Sequence, residues 1–348
     1  MKVLHLLQSD RFSGAENVVC QIVEMMKDRQ DIQMAYCSRN GQIKEVLKER
    51  GIKFYPISRI TVSEVQRVAQ QYNPDVIHAH DVTASVLAVL AISVRKCRII
   101  SHVHVNNSNM AHINMKTLLY EMMTPRFSHI FWVSQSCYDS YVFRKRVEKK
   151  SEVLNNVMDK VSIINKKNED TQVYHYDVVF VGRITEQKDP DRLMVVSKEL
   201  ADKLPGVKIA IAGTGNLENH TKMVADQYNL NDTVDFLGFM SNPLKLLSDA
   251  KVMLMTSRFE GLPMTVLEAM ALGTPVVSTP VDGLKDVISN GMNGYLESEN
   301  SLLVQRLIDI IGNPELRSHL SQNCIRKFDK MNNLEEYKER IYKAYTAE

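Results

Sequence analysis

The stretch VMLMTSRFEGLPMTVLEAMALGTPVVS, residues 252–278, contains a complete strand, turn, helix and strand. Val252 to Met255 is an apolar run of strand length, and Glu260-Gly261 opens a turn. Thr265 to Leu272 is apolar on most faces, as a buried helix must be, and Pro275 to Ser278 begins a second apolar strand. Two strands joined through a helix in this way run parallel, so the segment predicts one βαβ unit of a covered parallel sheet.

The same alternation extends in both directions. Upstream in this half, strands are expected at Val178 to Val181, Lys208 to Ala212 and Val234 to Leu237, with helices at Asp191 to Leu204 and Leu217 to Tyr228. The first half repeats the pattern with strands at Val3 to Leu7, Gln33 to Cys37, Val76 to His80, Ile99 to Val105 and Ile130 to Val133. Its helices are expected at Ala15 to Lys27, Val62 to Gln71, Ala84 to Val94 and Met115 to Met123. The fold class is therefore α/β, with two Rossmann-like doubly wound domains expected to face each other across a cleft. The domains are read as residues 1–165 and 166–330. A polar, aperiodic stretch from Lys160 to Tyr176 reads as the linker. Residues 331–348, with Leu334, Tyr337, Ile341 and Tyr345 at helical spacing, read as a terminal helix packing back on the first domain.

Composition narrows the function classes. A hydrophobic fraction of 44% with 24% charge supports folded cores and argues against disorder. No uncharged apolar run approaches the roughly eighteen residues that span a bilayer, and the first residues enter a strand pattern directly, which predicts a cytosolic protein. The five scattered cysteines, Cys20, Cys37, Cys97, Cys137 and Cys324, suit reduced thiols. Residues 1–160 carry 22 Lys and Arg against 15 Asp and Glu, a +7 excess concentrated at Arg144 to Lys150, whereas the remainder carries 21 against 26. Without interleaved aromatics this does not indicate nucleic acid. It suits a solvated face or peripheral contact with an anionic membrane at the inner face of the cell membrane. The apolar pattern of Ile113, Leu118, Leu119, Met122 and Met123 beside Lys116 and Arg126 is either a core-facing helix or part of that contact.

Three loops at strand ends carry candidate chemistry. Phe12 to Glu16 follows the first strand and places Gly14 at a helix start. Gly182 to Pro190 sets Arg183 and Lys188 five residues apart beyond the first strand of the second domain, where a diphosphate would meet both cations. Thr256 to Gly273 ends a strand and begins a helix, so the amides near Met264 and Thr265 are orphan donors suited to phosphate oxygens. Glu268, the single charged residue between Thr265 and Leu272, requires hydroxyl or cationic partners. His78-x-His80 and His102-x-His104 lack an acid or cysteine at matching spacing, and no metal site is expected from them. Asp189-x-Asp191 reads as first-turn acids of a helix rather than metal ligands.

Glu260 and Glu268, with seven residues between them in EGLPMTVLEAMALGTPVV, resemble the EX7E signature of family 4 retaining glycosyltransferases, which have the two-domain GT-B fold. VFVGRITEQKDP, AGTGNLEN, VDFLGF and VDGLKDVISNGMNGYL are similar to further segments of that family. The resemblance covers nearly all of the second domain. It implies that Arg183 and Lys188 neutralise the donor diphosphate, with Gly261, Leu262 and the amides of Met264 and Thr265 completing the anion site. Glu268 would hold the ribose hydroxyls and Glu260 the transferred sugar. Gly14 would let the first-domain loop approach the phosphates, although Ser13 stands where the family commonly has a second glycine. His104 would lie near the sugar. The expected activity is a retaining, metal-independent transfer from a nucleoside diphosphate sugar, a UDP-sugar, to a glycan or lipid-linked sugar acceptor in cell-surface polysaccharide synthesis. No cofactor is expected. A sugar-nucleotide epimerase of the same fold and a noncatalytic nucleotide-sugar-binding subunit are the alternatives.

Overall fold

The computed structural model describes residues 1–12, 14–92, 97–104 and 110–347. Ser13, Val94 and Val105, assigned from sequence to a loop, a helix and a strand, lie outside the described residues. The chain forms two compact units. Unit 1 comprises Met1–Asn156 and the segment from Leu334 on, and unit 2 comprises Val157–Asn333. These divisions fall at 156/157 and 333/334, where the sequence reading placed 165/166 and 330/331.

Unit 1 contains β1 (Lys2–Leu6), β2 (Gln33–Arg39), β3 (Lys53–Ile57), β4 (Val76–His80), β5 (Arg98–Val103), β6 (Phe127–Trp132) and β7 (Ser151–Val153). All pair in parallel in the order β3-β2-β1-β4-β5-β6-β7. Strand order reverses between β1 and β4, so the connections leaving these two strands depart toward opposite sides and open a crevice at their C-terminal ends. The helix Leu334–Thr346 returns to this unit and buries Tyr337, Ile341 and Tyr345. The Tyr345 hydroxyl meets Nδ1 of buried His78 at 2.7 Å, and Lys338 pairs with Asp28 at 2.5 Å.

Unit 2 contains β8 (Val178–Val181), β9 (Ile209–Ala212), β10 (Val234–Gly238), β11 (Val252–Met255), β12 (Val276–Ser278) and β13 (Gly294–Leu296), parallel in the order β10-β9-β8-β11-β12-β13. Its switch point lies between β8 and β11. Val178, Phe180, Ile209, Ile211, Val252 and Leu254 supply the sheet side of the core, against which Leu193, Val196, Leu200, Leu303 and Leu307 pack from helices. The four-residue strands are buried throughout, which is why they appear in the sequence as continuous apolar runs.

Two features correct the sequence reading. Lys160–Glu169 is a helix, not an aperiodic linker: the Asp159 side chain accepts from the Val161 and Ser162 amides and caps it, and Ile163 is buried. Strands β3, β7 and β13 were missed. All three are sheet edges with partly solvated residues, and β3 contains Pro56, so none has a continuous apolar signature.

Because Tyr345 is fully buried and hydrogen-bonded to His78, Tyr345→Ala is expected to cost about 3–5 kcal/mol through the cavity it leaves. Tyr345→Phe, which removes only the hydroxyl, should cost about 1–2 kcal/mol. Urea unfolding of the two variants checks this ordering, and equal losses would contradict the packing role of the ring.

Candidate functional site

The switch point of unit 2 draws together the loop after β8 and the loop after β11. Lys188 Nζ lies 2.5 Å from Glu260 Oε1, with side-chain exposures of 11% and 7%. Gln187 Nε2 donates to the Phe259 carbonyl at 3.1 Å and approaches Glu260 Oε2 at 3.4 Å. The backbone is stitched as well: the Arg258 amide donates to the Gln187 carbonyl at 2.8 Å, and Thr256 Oγ1 to the carbonyls of Lys188 and Asp189 at 3.0 and 3.1 Å. The two loops therefore form one rigid rim. Removing either member of its nearly buried ion pair would strand the other charge, at about 3–5 kcal/mol.

Backbone contacts fix the height of this rim. Gly213, following β9, has φ +144°, and a Cβ there would sit 1.9 Å from the Gly182 carbonyl oxygen; at Gly283 it would sit 1.2 Å from that of Gly261. Only glycine permits these approaches. Neither Gly213 nor Gly283 was identified as part of the site from sequence, although Gly213 lies in the quoted AGTG turn and Gly283 in VDGL.

The loop after β11 leads into the helix Met264–Leu272, with Met264, Val266, Leu267, Ala269, Met270 and Ala271 buried. Pro263 occupies the N-cap position and offers no side-chain cap. Among the described residues the Met264 and Thr265 amides have no hydrogen-bond partner, so two donors and the positive end of the helix dipole remain for an anion. Gly261 and Leu262 are buried in the approach to this helix. Glu268 follows Thr265 on the same helical face. Although the residue is half-exposed, its carboxyl sits in dense surroundings, and burial pushes its pKa up to about 7, with Lys166 acting in the opposite direction. Its carboxylate has no hydrogen bond or ion pair among the described residues. Arg183, at the end of β8, is exposed and has no acidic partner among them.

Asp189 and Asp191 have other occupations. Asp189, at φ 51°, pairs with Arg258, and Asp191 lies 2.7 Å from His220 Nε2.

Unit 1 shows a parallel arrangement at the β1/β4 switch point. Gln8 Nε2, after β1, donates to Asp81 Oδ2 at 2.6 Å, after β4. Gly14 begins the helix Gly14–Met25 beside this crevice. His104 follows β5 and is buried; its Nε2 shares a 2.8 Å hydrogen bond with His80 Nδ1, and His80 Nε2 another of 3.0 Å with His5 Nδ1. Burial lowers the pKa values of His5 and His104 to about 3 and holds His78, His80 and His102 well below 6.5, so all five rings are neutral near pH 7. His5 was missed from sequence because it stands alone on β1. Sheet register sets it opposite His78, and His80 opposite His102. Nitrogens of His5, His78 and His80, and of His80, His102 and His104, thus lie within 4.8 Å of one another, a grouping that sequence spacing did not reveal.

Comparison with known proteins places both units in one group. The family described as "Glycosyltransferase Family 4" matches residues 12–160, and "Glycosyl transferases group 1" matches residues 162–327. An uncharacterized glycosyltransferase of Methanocaldococcus jannaschii is 34% identical over 142 residues, 39% of this chain and 35% of that protein. A putative colanic acid biosynthesis glycosyltransferase of Escherichia coli is 33% identical over 141 residues, 38% of this chain and 35% of that protein. The chain therefore spans about a third of the length of each. The crystal structure of Anabaena HepE in complex with UDP-glucose superposes with a TM-score of 0.86 at 21% identity, covering 100% of both chains, which shows the fold. With one family model on each doubly wound unit and the GT-B architecture in common, the chain belongs to the family 4-like glycosyltransferases of GT-B fold.

Proposed function

We propose that this chain transfers a sugar from a nucleoside diphosphate donor, a UDP-sugar, to a hydroxyl of a glycan or lipid-linked sugar in cell-surface polysaccharide synthesis, with retention at the anomeric carbon and without a metal. The observation that carries the donor assignment is the rim of unit 2. It offers an anion the unpaired Arg183 guanidinium, the Lys188 ammonium and the Met264 and Thr265 amides, with Glu268 on the same helical face. Phosphate oxygens are acceptors that match these donors, and ribose hydroxyls are donors that match Glu268.

The Lys188–Glu260 pair gives the site a mechanism. A diphosphate at the rim competes with Glu260 for the ammonium and releases the carboxylate to accept from a sugar hydroxyl. As the glycosidic bond breaks, negative charge grows on the departing diphosphate, so Arg183, Lys188 and the helix-end amides stabilise the transition state more than the ground state. The leaving phosphate oxygen then helps remove the acceptor proton, and neither glutamate is needed as a nucleophile. These protein cations supply the charge that a divalent ion would otherwise bring. Gly14 and His104 are assigned, through the family resemblance, to the phosphates and the transferred sugar. Neutral His104 would act there as a hydrogen-bond partner, not a cation.

Incubation with a panel of nucleoside diphosphate sugars and candidate acceptors in EDTA should release UDP and yield a product with the donor's anomeric configuration, read by NMR. Activity that requires a divalent ion would overturn metal independence, an inverted product would overturn retention, and conversion of the donor without an acceptor would favour an epimerase. Glu260→Gln is expected to lower transfer about 100-fold or more while UDP affinity does not fall but rises by up to about tenfold, because a hydrogen bond to the sugar is lost and Lys188 is no longer held by a competing carboxylate. Equal losses would show that Glu260 is misassigned.

Glu268 makes a pH-dependent test. An ordinary carboxyl ionises near 4.5, but in the folded protein this one ionises near 7. Between those values the folded chain binds more protons than the unfolded one, so stability falls as pH rises through the window. Glu268→Gln should remove that slope and stabilise the ligand-free protein at pH 8 by up to about 2 kcal/mol, with no gain at pH 4. The same variant should bind UDP about 10- to 100-fold more weakly, having lost hydrogen bonds to a charged acceptor. Thermal denaturation at the two pH values and calorimetric UDP titration check both halves.

A further inference from the structure

We propose that the helix Met115–Met123 docks unit 1 on an anionic lipid bilayer, a surface beyond the donor chemistry described above. The helix is oriented contrary to its hydrophobic pattern. Thr117 and Tyr120 form its buried side, with Thr124 following; the Tyr120 hydroxyl lies 2.7 Å from Ser101 Oγ, and Thr117 Oγ1 donates to the His112 carbonyl at 3.0 Å. The apolar residues face outward: Met115 is 81% exposed, Met122 70%, Leu118 43% and Leu119 39%, with Ile113 at 65% just before the helix. At ~100° per residue, the four helical positions fall within an arc of ~100° opposite the buried side. Soluble helices place such a stripe inward, so its exposure marks a contact surface.

Charge at the margin identifies the occupant. Lys116 and Arg126 are exposed on the same segment. The basic run Arg144 to Lys150 is fastened to the helix and its C-terminal end: Arg146 approaches Glu121 at 3.5 Å, and Lys150 Nζ donates to the Thr124 and Phe127 carbonyls at 2.9 and 3.1 Å. Glu121, the helix's one acid, also accepts from the Tyr141 hydroxyl, so its charge is engaged. A stripe of flexible Met and Leu side chains bordered by cations matches acyl chains beneath anionic headgroups. No helix among the described residues is long and apolar enough to cross a membrane, so the contact is peripheral.

Vesicle flotation of the full chain tests this. With about one-third phosphatidylglycerol in phosphatidylcholine the protein should float, and with phosphatidylcholine alone it should bind about tenfold less. Met115→Ser/Leu118→Ser/Met122→Ser, and separately Lys145→Glu/Lys149→Glu, should each reduce binding to anionic vesicles about tenfold or more. Because the altered side chains are exposed, the melting temperature should not fall. Failure of the wild type to float, or binding unaffected by the serine variant, would overturn the proposal. So would a wild-type dimer in light scattering that the serine variant abolishes without vesicles, since the stripe would then be a contact between copies of the chain.

Discussion

Strand order reverses between β8 and β11, and Lys188 and Glu260 meet there at 2.5 Å. The reversal creates the crevice, and the ion pair holds its two lips in register. A nearly buried pair of this kind contributes little net stability against an apolar alternative, but either charge alone would be expensive. The crevice therefore requires both loops, and Arg183, the Met264 and Thr265 amides and Glu268 are positioned by elements that this rim anchors. Gly213 and Gly283 serve the same end from behind, allowing backbone to approach where a methyl group would force it apart.

Unit 1 uses the same topology with different chemistry. Its lips are bridged by Gln8 and Asp81, and the neighbouring strands carry neutral, stacked and hydrogen-bonded histidines instead of cations. Burial that keeps these rings uncharged also suits them to orient hydroxyl groups without attracting phosphate. The division of charge between the halves, positive in residues 1–160 and negative beyond, is consequently not a guide to the proposed phosphate site. The groups proposed to bind phosphate are local in unit 2, whereas the basic excess of unit 1 gathers beside the exposed face of Met115–Met123.

The interior strands were legible because strands buried on both faces must be apolar throughout, as Val178–Val181 and Val252–Met255 are. Edge strands such as Ser151–Val153 owe their existence to pairing, which one-dimensional periodicity does not record. The helix Lys160–Glu169 was hidden because its cap and its packing, rather than its propensity, stabilise it. At the site, Glu268 could be singled out by its isolation in an apolar helix, but the Lys188–Glu260 contact joins residues 72 apart and depends on strand order. The same dependence concealed His5, whose partners His78 and His80 lie on the adjacent strand. The face of Met115–Met123 shows the limit of pattern alone: spacing predicts a stripe, and only tertiary structure determines that Tyr120, not Leu118, turns inward.

We infer that Lys188 changes partner, from Glu260 in the free protein to a phosphate in the complex. A double-mutant cycle of Lys188→Met and Glu260→Gln, measured by unfolding without ligand and with saturating UDP, addresses it directly. The expected coupling is about 2–3 kcal/mol in the free protein, falling by more than half with UDP bound. A coupling unchanged by UDP would mean that the pair is only a structural clasp and that Lys188 does not turn to the phosphate.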